Sequence, residues 1–393
     1  MKFDVVQLES TGIDVIDGDR GKNYPHQNEL LSTGFCLFLS AKNVTKSGFS
    51  FSETQFISQR KDALLNNGRL CRGDIVITTR GTVGNVALYS PQVPYENIRI
   101  NSGMLIIRCA NNISNQYLYQ VLRSEWFQKQ IMAVQSGSAQ PQLPKSHFLK
   151  MKIPLPPLPI QEKIASILQL IDDKITTNNS INDNLLAQAQ MLYKQCFPYG
   201  VQDDLPDGWH IGTVGEIIEI HDSKRIPLSG ADRAKMEKKI YPYYGAASLM
   251  DFVDNYIFDG KYLLLGEDGT VVDDAGYPIL QYVWGQFWVN NHAHILTGRI
   301  GYDVESLYML LKQTPVKSIV TGAVQPKISQ ANLRSVQVVI PPEHNLREYN
   351  DLVEPLFSLL RANEEECKTL SALRDTLLPK LMSGELDVSA IQL

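Results

Sequence analysis

The stretch IPLPPLPIQEKIASILQLIDDKI, Ile153 to Ile175, runs a proline cluster directly into a long amphipathic segment. The stretch VVIPPEHNLREYNDLVEPLFSLL, Val338 to Leu360, does the same later in the chain. Proline fixes φ at about −65° and is tolerated in the first helical turn. Each stretch therefore predicts an extended approach followed by a long helix whose start is set by the prolines.

Both stretches belong to an internal repeat. SGSAQPQL (Ser136 to Leu143) matches TGAVQPKI (Thr321 to Ile328) at an offset of 185 residues, and the proline pairs before the helices share this offset. Upstream, TTRGTVG resembles GEDGTVV, and QYLYQVLRS resembles ESLYMLLKQ. The repeat predicts a globular unit, a long helix, a second globular unit and a second long helix. We place these segments at residues 1–155, 156–200, 201–340 and 341–393.

The globular units mix strand and helix signals. Residues 72–89 predict two strands around a glycine turn, residues 99–108 predict another strand, and residues 115–133 have helical periodicity. Strands and helices do not alternate strictly, so the predicted class is α+β, with two mixed α/β units spaced by two long α-helices.

The long helical segments carry narrow apolar stripes at three-four spacing. Packing the helices on each other as an antiparallel coiled coil would bury both stripes, whereas the alternative packs each helix on its own unit. In the pair, Asn178 and Asn363 would lie near the middle and fix the register. Pro355 predicts that the second helix is bent or starts later. The predicted seam comprises Ile164, Leu168, Ile171, Asn178 and Leu185 with Leu356, Leu360, Asn363, Leu370 and Leu377.

Composition limits the classes of protein to consider. No apolar run approaches the roughly 20 residues of a membrane helix, and the start lacks a secretory signal, so we expect a cytoplasmic protein without a membrane partner. The five cysteines have no metal-ligand spacing. His292 and His294 would share a strand face, but without a nearby third ligand we expect no metal site.

Charge is distributed unevenly along the chain. The net charge of −5 argues against indiscriminate coating of nucleic acid. Residues 1–155, however, hold 17 basic and 11 acidic side chains, so this region can attract phosphate.

Together these motifs resemble the specificity subunits of type I restriction-modification systems. The resemblance rests on the repeated Gly-x-x-Gln-Pro segment, the IPLPPLPIQEKIASIL helix start and the closing LRDTLLPKLMSGEL, which cover essentially the whole chain in the right order. It implies two target-recognition domains that each read half of a bipartite sequence in double-stranded DNA, with the helices setting the spacer. It also implies recruitment of two methyltransferase (modification) subunits and of restriction (motor-nuclease) subunits. The second repeat departs from the pattern, because Leu346 stands where Gln161 stands.

Catalytic motifs are missing from the sequence. There is no Walker A sequence, no amino-methyltransferase motif of the Asn-Pro-Pro-aromatic type and no convincing S-adenosylmethionine loop. We therefore expect a noncatalytic chain that binds no cofactor itself, with S-adenosylmethionine, ATP and Mg on partner subunits. The competing hypothesis is a protein-interaction scaffold that uses the helices without reading DNA.

Candidate DNA contacts are amide, hydroxyl and basic side chains in turns expected to be exposed. Residues 10–70 and 216–262 align poorly, which predicts an asymmetric target; the alternative for the charged cluster around Lys224 is a solvated face. The candidates in the first unit are Thr79, Arg80, Thr82, Arg99, Asn101, Ser136, Ser138, Gln140, Gln142 and Lys145. Those in the second are Lys224, Arg225, Asn290, Asn291, His292, Thr321, Gln325 and Lys327.

Overall fold

Atomic contacts divide the chain into two units, and both long helices contribute to each of them. The computed structural model of the protein describes residues 3–134, 141–322 and 324–391. The first unit is formed by Met1–Thr177 with Glu366–Leu393, and the second by Asn178–Glu365. The borders between the two units fall inside the two long helical segments. The four segments placed at residues 1–155, 156–200, 201–340 and 341–393 were drawn from sequence motifs and stay a prediction.

The first unit is built around antiparallel strands. They form a four-stranded sheet in the order β2-β10-β7-β8, a three-stranded sheet β6-β3-β9 with β3 and β9 parallel, and the pairs β1-β11 and β4-β5. The strands are β1 Val5–Gln7, β2 Asp14–Asp17, β3 Cys36–Leu39, β4 Val44–Thr45, β5 Gly48–Phe49, β6 Phe56–Ile57, β7 Ile75–Thr78, β8 Val86–Leu88, β9 Ile98–Ile100, β10 Met104–Arg108 and β11 Lys152–Pro154. The helices are α1 Gln59–Leu64, α2 Asn115–Arg123, α3 Glu125–Val134, α4 Lys145–Leu149 and the first half of α5 Leu158–Cys196.

The central sheet of this unit is covered on both faces. Leu105 and Ile107 of β10 pack with Val121 of α2, whereas Ile106 packs with Leu39 of β3. Neighbouring residues of a strand point to opposite faces of the sheet, so the apolar strand β10 contributes side chains to the core on each face. The predicted hairpin within residues 72–89 is confirmed as β7 and β8. The single strand predicted for residues 99–108 is wrong, because a turn at residues 101–103 divides it into β9 and β10.

The second unit has the same strand plan. It contains a four-stranded antiparallel sheet in the order β13-β20-β17-β18, a sheet β15-β14-β19-β16 with β14 and β19 parallel, and the pair β12-β21. The strands are β12 His210–Thr213, β13 Ile218–Ile220, β14 Tyr241–Tyr244, β15 Leu249–Val253, β16 Phe258–Asp259, β17 Tyr262–Gly266, β18 Leu280–Val283, β19 Gln286–Val289, β20 Ala293–Gly298 and β21 Gln337–Ile340. The helices are α6 Val214–Ile217, α7 Gly230–Ala234, α8 Val304–Leu311, α9 Gln330–Arg334 and part of α10 Glu343–Ser383.

Proline sets the start of both long helices, as predicted. Helix α5 begins at Leu158 directly after two prolines, and α10 begins at Glu343 directly after two more. The late start considered for the second helix is wrong, since α10 continues through Pro355. At about 1.5 Å per residue, these helices of 39 and 41 residues are about 58 and 62 Å long.

The long helices pack on each other in opposite directions in each unit. In the first unit Lys174 pairs with Glu366 at 3.2 Å, and Leu168 shares a core with Leu378. In the second, Tyr349 donates a hydrogen bond to the Ala189 carbonyl at 3.0 Å. The predicted α+β class with an antiparallel helix pair is confirmed. The predicted seam residues Ile164, Leu168, Asn178, Leu185, Leu360 and Asn363 are buried, and Ile171, Leu356, Leu370 and Leu377 are half-buried.

Gln161 and Leu346 show why the two helix starts differ. Gln161 is buried and donates from Nε2 to the carbonyls of Pro156 and Asn112 at 2.8 and 3.1 Å. Leu346 is buried in the apolar core of the second unit, where Val353 and Phe357 also lie. A polar cap therefore fixes one helix start and apolar packing fixes the other. Among the described helices, none has the length and hydropathy needed to cross a membrane.

Candidate nucleic-acid interface

A loop corner in the first unit gathers several of the predicted DNA contacts. We call residues 79–84, 101–103 and 141–143 the first corner. The backbone N–H of Thr79 donates to the Gly103 carbonyl at 2.7 Å, and the N–H of Leu143 donates to the Thr79 carbonyl at 3.0 Å. Asn101 Oδ1 accepts from the Gly103 N–H at 2.9 Å. These hydrogen bonds join three loops that are distant in sequence.

The second unit contains a corner with the same hydrogen bonds. We call residues 267–269, 290–292, 321–322 and 324–328 the second corner. The N–H of Glu267 donates to the His292 carbonyl at 2.8 Å, and the N–H of Ile328 donates to the Glu267 carbonyl at 2.8 Å. Asn290 Oδ1 accepts from the His292 N–H at 2.8 Å. Each bond has its counterpart in the first corner, so one backbone arrangement is built twice.

Most of the predicted contact residues fall on these corners, but their exposure differs. Thr79 and Asn290 are buried within the frame and Asn101 is half-buried, so these three hold the loops together. The exposed predicted residues are Arg80, Thr82 and Gln142 on the first corner and Asn291, Thr321, Gln325 and Lys327 on the second, with His292 half-buried. Ser136, Ser138 and Gln140 lie outside the described residues.

Two candidates lie beside the corners. Lys145 begins α4, and its Nζ donates to the Val15 carbonyl of β2, so part of its hydrogen-bonding capacity is already used. Lys224 is exposed on a short turn after β13. Both ammonium groups suit contacts to phosphate better than contacts to bases, because they are point charges without a fixed planar geometry.

Arg99 is not in an exposed turn, contrary to the sequence-based expectation. It lies in β9, is 5% exposed, and its Nε donates to Asp62 Oδ1 at 2.5 Å. Its other nitrogens donate to the carbonyls of Asn67, Asp62 and Leu65. Four hydrogen bonds from the guanidinium therefore hold α1 and the following loop against the sheet.

Arg225 is likewise tied into the protein rather than placed on a solvated face. Its Nη1 lies 2.6 Å from Glu267 Oε2 and 2.7 Å from the Ala293 carbonyl. Lys327 Nζ lies 3.2 Å from the other oxygen of Glu267. Burial alone would raise the pKa of Glu267, but the hydrogen bond from Arg225 and the neighbouring positive charges lower it. The carboxylate stays ionised and joins the corner to the sheet.

His294 and Asp222 extend this network below the second corner. His294 Nδ1 lies 2.6 Å from Asp222 Oδ2, and its Nε2 lies 2.8 Å from the Ile328 carbonyl. Gln330 Nε2 donates to the same Asp222 oxygen at 2.6 Å. Burial alone would raise the pKa of Asp222, but the hydrogen bonds from His294 and from the Ile295 N–H, together with the charge of Arg225, lower it. The network fixes the end of the Gln-Pro segment on the sheet.

Two carboxylates lie beside His294, contrary to the expectation that no further ligand is near it, whereas His292 is not part of this group. In the part of the chain that the structure describes, Asp222, Glu267 and His294 place one ligand atom each within 4.8 Å of the others. Arg225 already pairs with both carboxylates, and Lys327 pairs with Glu267. This arrangement is that of a hydrogen-bonded ion-pair network.

The two corners differ in chemistry at the position that follows Thr79 in the first and Glu267 in the second. Arg80 occupies that position in the first corner and Asp268 occupies it in the second. Asp268 contacts the His292 ring through Nδ1, whereas Gly103 stands in the place of His292 in the first unit. Asp268 was missed in the sequence, although the alignment of TTRGTVG with GEDGTVV sets it directly on Arg80.

Comparison with known proteins explains the duplicated architecture. The family model described as type I restriction modification DNA specificity domain matches residues 11–187 and again residues 206–372. The chain belongs to this family. The two matches agree with the two repeats recognised in the sequence, and the predicted resemblance is confirmed. Membership of the family supports a role in recognising DNA sequence.

Individual relatives are distant but extend over most of the chain. The type I restriction enzyme MjaIX specificity subunit of Methanocaldococcus jannaschii is 23% identical over 352 residues, covering 81% of this chain and 79% of the relative. The EcoprrI specificity subunit of Escherichia coli is 24% identical over 283 residues, covering 68% and 67%. The crystal structure of a type I specificity subunit from M. genitalium covers 99% of this chain and 97% of its own, with a TM-score of 0.55 at 17% identity. That structure supports the fold.

Proposed function

We propose that this chain is the noncatalytic DNA-reading subunit of a type I restriction-modification complex, and that its two units read the two halves of an asymmetric bipartite target. The observation that carries the proposal is that both units contain a corner with the same backbone hydrogen bonds. The side chain at the matching position differs, being Arg80 in the first corner and Asp268 in the second. A shared frame that carries different side chains, an exposed Arg80 in one unit and a partly buried Asp268 in the other, suits two readers of different bases. Residues 1–155 and 201–340 are the proposed target-recognition domains.

The exposed corner side chains are the proposed contacts to DNA. Amide and hydroxyl groups can reach base edges, whereas lysines supply phosphate contacts that set position. Lys145 and Lys224 belong to the second class. The proposed contacts on the corners are Arg80, Thr82, Gln142, Asn291, Thr321, Gln325 and Lys327, and the half-buried His292 is proposed to support them.

The long helices are proposed to set the spacer and to recruit the partner subunits. Each helix leaves large apolar side chains in solvent in spite of the packed seam: Leu170 and Met191 of α5 are 62% and 60% exposed, and Leu352 of α10 is 55% exposed. These side chains are available for burial against a protein partner. The proposed partners are two methyltransferase subunits and restriction subunits, which would carry S-adenosylmethionine, ATP and Mg.

The same exposed apolar side chains would also serve a scaffold that does not read DNA. The two functions differ in what the assembled complex does to DNA. Co-expression with the methyltransferase subunits of its complex, followed by mapping of methylated adenines, should give one two-part motif with a fixed spacer. Binding to a duplex that carries the motif should weaken steeply with salt and exceed binding to a scrambled duplex. Equal binding to both duplexes, without a methylation motif, would support the scaffold instead.

A further inference from the structure

Each corner contains a pair of neighbouring positions, and the residues at these two positions differ in chemistry between the corners. In the second unit His292 contacts the carboxylate of Asp268. In the first unit the counterpart of His292 is Gly103, and a Cβ placed there would lie 3.6 Å from the Cβ of Arg80. The same neighbouring positions therefore hold Arg80 with Gly103 in one unit and Asp268 with His292 in the other.

Arg80 is available for an external ligand. Its side chain is exposed and forms no ion pair with any residue that the structure describes. The backbone beneath it is fixed, because its own N–H donates to the Gly103 carbonyl at 3.3 Å and its neighbour Thr79 is bound on both sides. With glycine at position 103, no side chain restricts the guanidinium from that direction. A planar guanidinium whose backbone is held in place matches the paired N7 and O6 acceptors of guanine.

Asp268 presents the opposite chemistry on the same frame. His292 Nδ1 holds one carboxylate oxygen, and Lys327 is the backbone bridge partner of Asp268 in the corner. Lys327 is exposed and pairs with Glu267, so a cation lies in the same corner as the Asp268 carboxylate, whose side chain is 19% exposed. A carboxylate in this setting can accept a hydrogen bond from the exocyclic amino group of cytosine.

We propose that these paired positions determine one base in each half of the target: Arg80 reads guanine in one half-site, and Asp268, oriented by His292, reads cytosine in the other. The inference rests on the proposed function and adds the chemistry of the two contacts. Arg80 and Asp268 touch the bases, whereas His292 is a positioning residue that fixes the carboxylate.

The test is methylation mapping with the complete complex, comparing wild type with Arg80→Gln and Asp268→Asn. Arg80→Gln should reduce the preference for guanine at one position of one half-site by about tenfold or more, and leave the other half-site and the spacer unchanged. Asp268→Asn should relax one position of the opposite half-site. Arg80→Asp combined with Gly103→His should change the guanine position toward cytosine.

Controls remove the same charge elsewhere. Arg347→Gln removes an exposed arginine of α10, and Asp207→Asn removes an exposed aspartate in a loop before β12; neither should change the motif. His292→Ala should weaken the cytosine preference less than Asp268→Asn does. A motif unchanged at every base in Arg80→Gln, or a uniform loss of methylation with every base preference kept, would overturn the inference. Failure of the proposed function would be distinguishable, because the wild-type complex itself would then give no bipartite motif.

Discussion

Buried asparagines of the helix pair make hydrogen bonds that depend on alignment. In the second unit Asn363 Nδ2 donates to Asn182 Oδ1 at 2.8 Å, and Asn182 Nδ2 donates to the Leu360 carbonyl at 3.2 Å. Both side chains are buried. A shifted register would separate these amides and leave them in apolar surroundings, so the pair favours one alignment of the helices.

Asn363→Leu should lower the free energy of unfolding by about 1–3 kcal/mol, because the buried Oδ1 of Asn182 loses its donor. The double substitution Asn182→Leu with Asn363→Leu should regain part of that loss, since neither polar group then remains. Urea denaturation monitored in the full chain measures both. Asn184→Leu, an exposed position on the same helix, is the control and should change little. A single variant as stable as wild type would contradict the register role.

Asp172 links α5 to two other helices in the first unit. Its oxygens lie 2.9 Å from Arg123 Nη1 of α2 and 2.8 Å from Arg374 Nη1 of α10. Gln120 Nε2 donates to it at 2.8 Å. Arg374 interrupts the apolar pattern of the second helix in the sequence, and this ion pair explains why a cation is accommodated there.

The Asp172 network should make the first unit sensitive to acid. Burial alone would raise the pKa of Asp172, but the two arginines and Gln120 lower it below the ordinary 3.8. A lowered pKa gives stability that is complete above the ordinary value and is lost as the pH falls through the folded-state value. Asp172→Asn should therefore destabilise the chain near neutral pH by about 1–3 kcal/mol, with a smaller difference near about pH 3. Denaturation midpoints at both pH values measure this; a constant difference would exclude the linkage.

At the scale of secondary structure, the sequence predicted elements better than it predicted their contacts. Proline and the 185-residue repeat predicted both long helices, because these signals are local or periodic. Arg99 was misplaced since nothing beside it in the sequence reveals that Asp62 is its partner in the folded unit. The corners were only partly predicted for the same reason: their three loops meet through backbone hydrogen bonds that leave no side-chain pattern.

The Gln-Pro turn of the second corner can be tested by a glycine substitution. Gly322 has a φ of +88°, and a Cβ there would lie 2.2 Å from the Gln325 carbonyl oxygen. Gly322→Ala should deform the turn and reduce recognition of one half-site, lowering methylation by about tenfold or more if one good base contact is lost. Gly285→Ala is the matched control, with a φ of +76° and open space around its Cβ. Equal methylation by both variants would argue against a role for the turn.

At the scale of the whole molecule, the proposed ruler has a definite length dependence. Removing one heptad from α5 and the facing heptad from α10 shortens each helix by about 10 Å, which corresponds to about three base pairs at about 3.4 Å each. The permitted spacer should shorten accordingly while both half-sites are kept. Removing a heptad from only one helix should disrupt the pair and abolish methylation. Adenine mapping that shows the original spacer after the paired deletion would contradict the ruler.

The first unit is assembled from two separate lengths of chain, whereas the second is a single uninterrupted length. Leu378, Leu381 and Val388 complete the core that otherwise comes from residues before Thr177. During synthesis, the last part of this core is therefore made only after all residues of the second unit. A premature stop after Glu365 would accordingly damage the unit that was translated first.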